Sequence, residues 1–186
     1  MAYVRGHAFD YNRWAQIDGC RDWSYSDCLP YFKKAECLDI GGDVYRGTDG
    51  PLKVTAGKME NPLYKAWLMA GKEAGYPVTN DPNGYQQEGL GRMDMTVDKG
   101  RRCSSAKAYL KDAANRKGLF IEKNAFVNRI LIEDGTASGV EFEKDGAKVC
   151  VYAGKEVILC AGAINTPQLL MLSGIGPGPH LHSIGV

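Results

Sequence analysis

Apolar and polar positions along the chain follow two different patterns. Up to about residue 118, apolar residues recur at helical spacing between loops rich in glycine, proline, asparagine and aspartate. From residue 119 onwards they occur in short runs of β-prone residues. The chain is therefore expected to combine helices and strands in a mixed α/β fold.

The clearest helix is predicted to follow Asn61, which can cap it, with Pro62 in its first turn and Gly75 as its end. One face of this helix carries an apolar stripe, formed by Leu63, Ala66, Trp67, Ala70 and Ala74. Another helix is predicted from Ser104 or Ser105 to about Arg116. Its inward-facing residues are expected to be Ala106, Tyr109, Leu110 and Ala113.

The first forty residues predict a loop and a short helix, followed by a capped helix. Ser24 and Asp27 form a weak capping box, and Pro30 is expected to kink or split the helix that follows. Residues 39–50 contain four glycines and are expected to form a surface loop. A short strand is predicted next, at Leu52–Val54.

The later part of the chain predicts strands. A short apolar strand is expected at 119–122, and an antiparallel meander at 126–132, 139–143 and 148–153, with Asp-Gly hairpin turns at 134–135 and 145–146. The run 157–160 is of the kind buried on both faces of a parallel sheet, which would bury Cys160. A helix is expected to begin near Thr166 and to end at Gly174.

Charge and cysteine content narrow the possible functions. The chain has 23 Lys and Arg against 22 Asp and Glu, a net charge of +1, so no positively charged surface for nucleic acid is predicted. The six cysteines are scattered and lack the two-residue spacing of a metal or redox motif, so no metal site is predicted and a reducing, intracellular compartment is favoured. No apolar run is long enough to predict a transmembrane segment.

The most informative segment runs from residue 156 to residue 176. An apolar run there ends in small residues and leads directly into a predicted helix. Small side chains allow a ligand to approach the backbone, and a helix amino end offers free N–H groups to a phosphate or ribose. The same pattern also fits an ordinary strand–helix packing corner. No G-x-G-x-x-G fingerprint occurs in the chain, so a pyrophosphate cradle would have to lie outside it.

This segment also carries a longer motif. Residues 162–176 read Gly-Ala-Ile-Asn-Thr-Pro-Gln-Leu-Leu-Met-Leu-Ser-Gly-Ile-Gly, and they resemble the second signature of the glucose–methanol–choline (GMC) oxidoreductases at every constrained position. Tyr3, Gly6 and Asn12 resemble the end of that family's first signature. Blocks such as 3–7, 46–51 and 83–89 are similar to the branch of the family that oxidises choline, although Cys103 stands where an aromatic residue is expected.

The resemblance implies a Rossmann-like FAD-binding domain with a β-meander, joined to a substrate or cap domain. Residues 1–20 would pass the flavin, 21–98 would belong to the cap domain, and 99–186 would return to the FAD domain. The implied FAD contacts are the backbone near Ala2, the main chain of Val127 at the adenine, and Ala161 and Gly162 beside the ribose and phosphates. Val127 also fits a plain core valine.

The resemblance also implies the reaction of the parent enzyme, in which FAD takes a hydride from a primary alcohol, choline, and gives betaine aldehyde. The resemblance does not indicate the electron acceptor. It implies a mitochondrial localisation, for which this chain contains no targeting signal. No catalytic residue is nominated, because the three histidines fit structural or surface positions: His7, His180 and His182. The chain is expected to be an internal fragment that is inactive by itself. Trp14, Trp23 and Trp67 are not assigned to substrate. The alternatives are a relative acting on glucose, an aliphatic alcohol or a steroid, and a cofactor-free interaction module.

Overall fold

The computed structural model describes residues 1–186 and has the mixed α/β character that the sequence predicts. The chain forms two compact units, Met1–Leu119 and Phe120–Val186. The assignment of 1–20, 21–98 and 99–186 to domains of a longer enzyme stays a prediction. None of the helices has the length and apolar character required to cross a membrane.

The first unit combines short helices with two small sheets. Its elements in chain order are α1 (Ala8–Trp14), a 3₁₀ turn (Arg21–Trp23), α2 (Tyr25–Ala35), β1 (Glu36–Leu38), β2 (Leu52–Val54), α3 (Pro62–Glu73), β3 (Val97–Asp98), β4 (Arg101–Arg102), a π-helical turn (Ala106–Leu110) and α4 (Lys111–Ala113). β1 pairs with β2 in parallel, and β3 pairs with β4 antiparallel. The buried apolar residues of this unit are few: Cys28, Leu38, Val54, Ala56, Cys103 and Ala108.

The predicted helix caps are present in this unit. Ser24 and Asp27 form the reciprocal capping box of α2, and Asn61 Oδ1 accepts the N–H of Leu63 at 2.9 Å at the start of α3. Gly75 follows α3 with φ +85°, a conformation that favours glycine. The apolar stripe of α3 is nevertheless exposed, since no residue of this helix is buried.

Two predictions for the first unit are wrong, and a third is wrong in part. Of the kink or split predicted at Pro30, the split is absent: α2 continues through Pro30, because Pro30 and Ser26 are both exposed and water can satisfy the Ser26 carbonyl that loses its helical partner. The loop 39–50 is not wholly a surface loop, because Arg46 is buried. The helix near residue 106 begins as a π-turn, whose wider spacing shifts the inward face, so Ala108 is buried in place of the predicted residues.

The second unit contains the predicted meander, a three-stranded sheet in the order β5 (Phe126–Glu133), β6 (Thr136–Lys144) and β7 (Ala147–Tyr152). Both Asp-Gly pairs form the turns with positive φ that suit two-residue hairpins. α5 (Gly162–Leu172) packs on β5, and α6 (Gly178–Ser183) follows. The core of this unit consists of Ile130, Phe142, Leu169 and Leu181.

The predicted strands at 119–122 and 157–160 are absent, and Cys160 is exposed rather than buried. A strand needs a neighbour to accept its backbone hydrogen bonds, and neither run pairs with the three-stranded sheet. The final long helix also begins at Gly162, four residues before the predicted start at Thr166. Gly162 permits this earlier start because its φ is +93°, which side chains disfavour.

Candidate functional site

A cleft of about 290 Å³ lies within the second unit, between the start of β5 and α5. Its lining combines apolar side chains with two amides: Ala125, Phe126, Val127, Ala161, Asn165, Gln168, Leu169 and Leu172. Two of the predicted cofactor positions, Val127 and Ala161, therefore face the same space although they are distant in the chain. An apolar cleft with a few polar groups is the usual form of a small-molecule site.

Val127 lies on an edge strand, which leaves main-chain groups available to a ligand. β5 has only β6 as a neighbour, so its other edge has no partner strand. The register is irregular between Val127 and Arg129, a bulge that disturbs the ladder next to the cleft. Val127 is 39% exposed, and its contact with a cofactor stays a prediction.

The other wall of the cleft is the amino end of α5. Ala161 is its N-cap residue and offers no side-chain acceptor, while the Ala161 N–H donates to Thr166 Oγ1 at 3.1 Å. The first N–H groups of a helix have no partner within the helix, and the helix dipole makes this end positive. A Cβ on Gly162 would meet no atom within 4 Å, so the backbone there is open to an approaching group.

Ser173 fixes α5 against the sheet. Its Oγ accepts the Ile130 N–H at 2.8 Å and donates to the Leu169 carbonyl at 2.7 Å. One side chain thus joins the middle of β5 to the last turn of α5. This link and the buried Leu169 hold α5 against β5.

Ala2, the fourth predicted position, belongs to the first unit and is exposed. It forms an antiparallel bridge with Met95, which also bridges Thr55. The adjacent Tyr3 N–H donates to the Asp94 carbonyl at 2.8 Å. The first residues of the chain are therefore held as an extra strand beside residues 94–96.

Beneath this strand lies a buried ionic network that the sequence did not reveal. Arg46 lies at its centre and is 2% exposed, while Glu36 and Asp94 are fully buried. Arg46 Nη2 donates to Glu36 Oε1 at 2.7 Å and to Asp94 Oδ2 at 2.8 Å, and Arg46 Nη1 donates to Asp81 Oδ1. Burial alone would lower the pKa of Arg46, but the hydrogen bonds that Arg46 donates to Glu36 and Asp94 outweigh burial and raise that pKa.

Arg5 ties the amino-terminal strand into the same network. Its Nη2 donates to Glu36 Oε2 at 2.6 Å, and its backbone N–H donates to Asn83 Oδ1 at 2.7 Å. Asn83 Nδ2 in turn donates to the Tyr3 carbonyl at 3.1 Å. The segment that carries Ala2 is thus anchored by buried charges from distant parts of the unit. Polar residues at irregular spacing give no periodic signal, so only the three-dimensional contacts show this set.

None of the three histidines lines the cleft. His7 caps α1, where its Nδ1 accepts the Phe9 N–H at 3.1 Å, and it is exposed. His180 and His182 lie on α6 and are also exposed. These positions agree with the structural and surface interpretations made from the sequence.

The chain is similar in sequence to proteins of a known family. The family model described as GMC oxidoreductase matches residues 1–186. The mitochondrial choline dehydrogenase of Homo sapiens is 54% identical over 186 residues, which is 100% of this chain and 31% of that protein. The oxygen-dependent choline dehydrogenase of Photobacterium profundum is 52% identical over 188 residues, which is 100% of this chain and 33% of that protein. The chain spans about a third of the length of these curated relatives.

Solved structures agree with the fold. Pyridoxine 4-oxidase from Mesorbium loti matches with a TM-score of 0.88 and 34% identity, over 100% of this chain and 37% of that one. An FAD-dependent oxidoreductase from Chaetomium thermophilum matches with a TM-score of 0.87 and 28% identity, over 100% of this chain and 34% of that one. Since the family model covers every residue, the chain belongs to the GMC oxidoreductase family.

Proposed function

We propose that this chain is part of an FAD-dependent alcohol dehydrogenase whose substrate is choline and whose product is betaine aldehyde. Full-chain identity above 50% to proteins named choline dehydrogenase supports the substrate. Mitochondrial localisation is proposed with it, because the human and mouse relatives carry that word in their names. The activity belongs to a longer enzyme, since the chain covers about a third of those relatives.

The cleft in the second unit is proposed to hold the adenosine half of FAD. The observation that carries this proposal is that Val127 and Ala161 line one cleft. The edge-strand main chain at Val127 would contact the adenine. Ala161 and Gly162, at the positive amino end of α5, would lie beside the ribose and phosphates. The open backbone at Gly162 fits a group that must approach closely.

The first unit is proposed to supply the segment that passes the flavin. The backbone at Ala2 would contact it, held in place by the bridge to Met95 and by the network around Arg46. When bound, FAD supplies the acceptor for the hydride of the alcohol. The role of these residues is to orient and shield the cofactor. The base that takes the hydroxyl proton is proposed to lie in another part of the enzyme, as the resemblance to the family implies.

The domain assignment is proposed on the same basis, with 1–20 beside the flavin, 21–98 in the cap domain and 99–186 in the FAD domain. Two alternatives make different predictions. Another GMC enzyme would oxidise glucose, an aliphatic alcohol or a steroid in preference to choline. A cofactor-free interaction module would never bind flavin in any context.

The first experiment sequences the transcript that encodes this chain and expresses its whole open reading frame. We expect a G-x-G-x-x-G fingerprint before residue 1, a histidine-containing block after residue 186, a yellow protein and dye-linked oxidation of choline. The 186-residue chain by itself is expected to be colourless and inactive. A flavin-free product of the complete reading frame would contradict the proposal.

The second experiment tests the cleft in that complete protein. Ala161→Leu puts a larger side chain into the cleft and should lower the flavin content at least about tenfold, a loss of roughly 1.4 kcal/mol or more in binding free energy. Ala147→Leu, at an exposed position at the start of β7, is the matched control and should keep the flavin. Equal flavin content in both variants would place the adenosine elsewhere.

A further inference from the structure

The small sheet of β1 and β2 carries a cysteine and a lysine side by side. In the parallel register of these strands Cys37 is the partner of Lys53, and the side chains of partner residues lie on the same face of a sheet. The neighbours of Cys37 in β1, Glu36 and Leu38, are buried on the other face. Cys37 therefore lies on the outer face, where it is partly exposed and Lys53 is exposed.

The two side chains interact directly. The Lys53 ammonium donates a hydrogen bond to the Cys37 sulfur, and this bond is the main cause of the raised pKa of Lys53. An ammonium group beside a thiol favours the thiolate, which is the nucleophilic form of cysteine. Cys37 thus combines the two features that reactive cysteines share, partial exposure and an adjacent cation.

Further positive charge lies beside this pair, on and after the hairpin of β3 and β4. The Asp98 carboxylate accepts a hydrogen bond from Lys107 Nζ at 2.9 Å. That bond holds the pKa of Asp98 below its ordinary value, and two more lysines act in the same direction: Lys99 and Lys53. Three ammonium groups thus surround one carboxylate. The surface next to Cys37 is therefore positive and favours the approach of an anionic reagent.

The other five cysteines lack this arrangement. Two are buried: Cys28 and Cys103. Two lie outside the strands: Cys20 and Cys160. Cys150 is exposed on β7, but its partner in the register of β6 is the carboxylate residue Glu141. Cys37 alone is both accessible and paired with a lysine on a neighbouring strand.

We propose that Cys37 is a modification site, at which the chain forms a mixed disulfide with a small anionic disulfide. In this step the Cys37 thiolate attacks one sulfur of the reagent, so that a new S–S bond forms and the S–S bond of the reagent breaks. The other half of the reagent leaves as a thiolate with the bonding electron pair. That half is reduced, and Cys37 is oxidised. The carboxylates of the reagent are attracted to Lys53 and Lys99, and neither flavin nor alcohol takes part.

The test treats the 186-residue protein with oxidised glutathione, whose net charge is negative, and with cystamine, whose net charge is positive. Peptide mass spectrometry measures the rate of labelling at Cys37 and at Cys150, the exposed reference in the same chain. The ratio of these two rates removes the intrinsic reactivity of each reagent. We expect the ratio to be at least about threefold higher with oxidised glutathione at low ionic strength, and to lose this preference at about 1 M salt. Equal ratios with the two reagents at low salt would overturn the proposal.

Two substitutions at residue 53, an exposed position, test the role of the ammonium group. Lys53→Gln should slow the reaction of Cys37 with oxidised glutathione about fivefold relative to Cys150, whereas Lys53→Arg keeps the charge and should stay within about twofold. Lys65→Gln is the matched control, because Lys65 is exposed on α3 and lies outside the sheet. Unchanged labelling of Cys37 in Lys53→Gln, with circular dichroism like that of the original protein, would refute the assignment.

Discussion

Replacing Arg46 by methionine should remove a large part of the stability of the first unit. Methionine fills similar space but leaves Glu36 and Asp94 as buried carboxylates, each 0% exposed, without their main partner. Breaking a buried ion pair on one side costs about 3–5 kcal/mol. That loss is a large share of the roughly 5–15 kcal/mol by which a domain is stable. Urea unfolding followed by tryptophan fluorescence measures it.

The control for this prediction is Arg13→Met. Arg13 forms an ion pair with Asp10 at 3.4 Å on the surface of α1, with the two side chains 72% and 49% exposed. Such pairs contribute about 0–1 kcal/mol, so the control should stay close to the original protein. Salt at about 1 M should weaken the Arg13 pair and leave the Arg46 network nearly unchanged. A cost below about 1 kcal/mol for Arg46→Met would show that the network contributes little to stability.

Further predictions concern the second unit. Gly135→Ala should cost about 1 kcal/mol in thermal unfolding, because Gly135 has φ +75°, whereas Gly154→Ala, in open space, should be nearly neutral. The hydrogen bond from Arg129 holds the pKa of Glu141 below its ordinary value of 4.5. The stability that ionised Glu141 gives the folded state is therefore complete above pH 4.5 and is lost as the pH falls through the lowered pKa. Glu141→Gln should make the melting temperature fall less steeply as the pH is lowered, whereas Glu143→Gln should leave that dependence unchanged. Ile158→Lys should raise solubility and leave the melting temperature unchanged, because Ile158 is 74% exposed. A melting temperature lower by many degrees would mean that 157–160 forms a buried strand.

Features set by neighbouring residues could be predicted from the sequence. The cap at Asn61, the capping box at Ser24 and the two Asp-Gly turns depend on contacts within a few residues, and all are present. The meander was also predictable, because each strand pairs with the next one along the chain. Short-range chemistry decides these features, so the sequence pattern contains the required information.

Features that depend on distant partners could not be predicted in the same way. The run 157–160 has the composition of a buried parallel strand, but this chain provides no strand to pair with it. The stripe on α3 has helical spacing, but nothing covers it. The network around Arg46 joins residues without any common spacing. One wall of the candidate cleft could be predicted from the motif at 162–176. Val127, on the opposite wall, was indicated only by the resemblance to the family.

The anchoring of the first residues by distant charges has a consequence for biosynthesis. Arg5 and Tyr3 leave the ribosome long before Asn83 and Asp94, to which their backbone groups bond in the finished structure. The separation between Tyr3 and Asn83 is 80 residues, which takes about 4–16 s to translate at roughly 5–20 residues per second. During that interval these partners of Tyr3 and Arg5 are absent from the nascent chain, so the amino-terminal strand can pair only after residues 83–95 have been made.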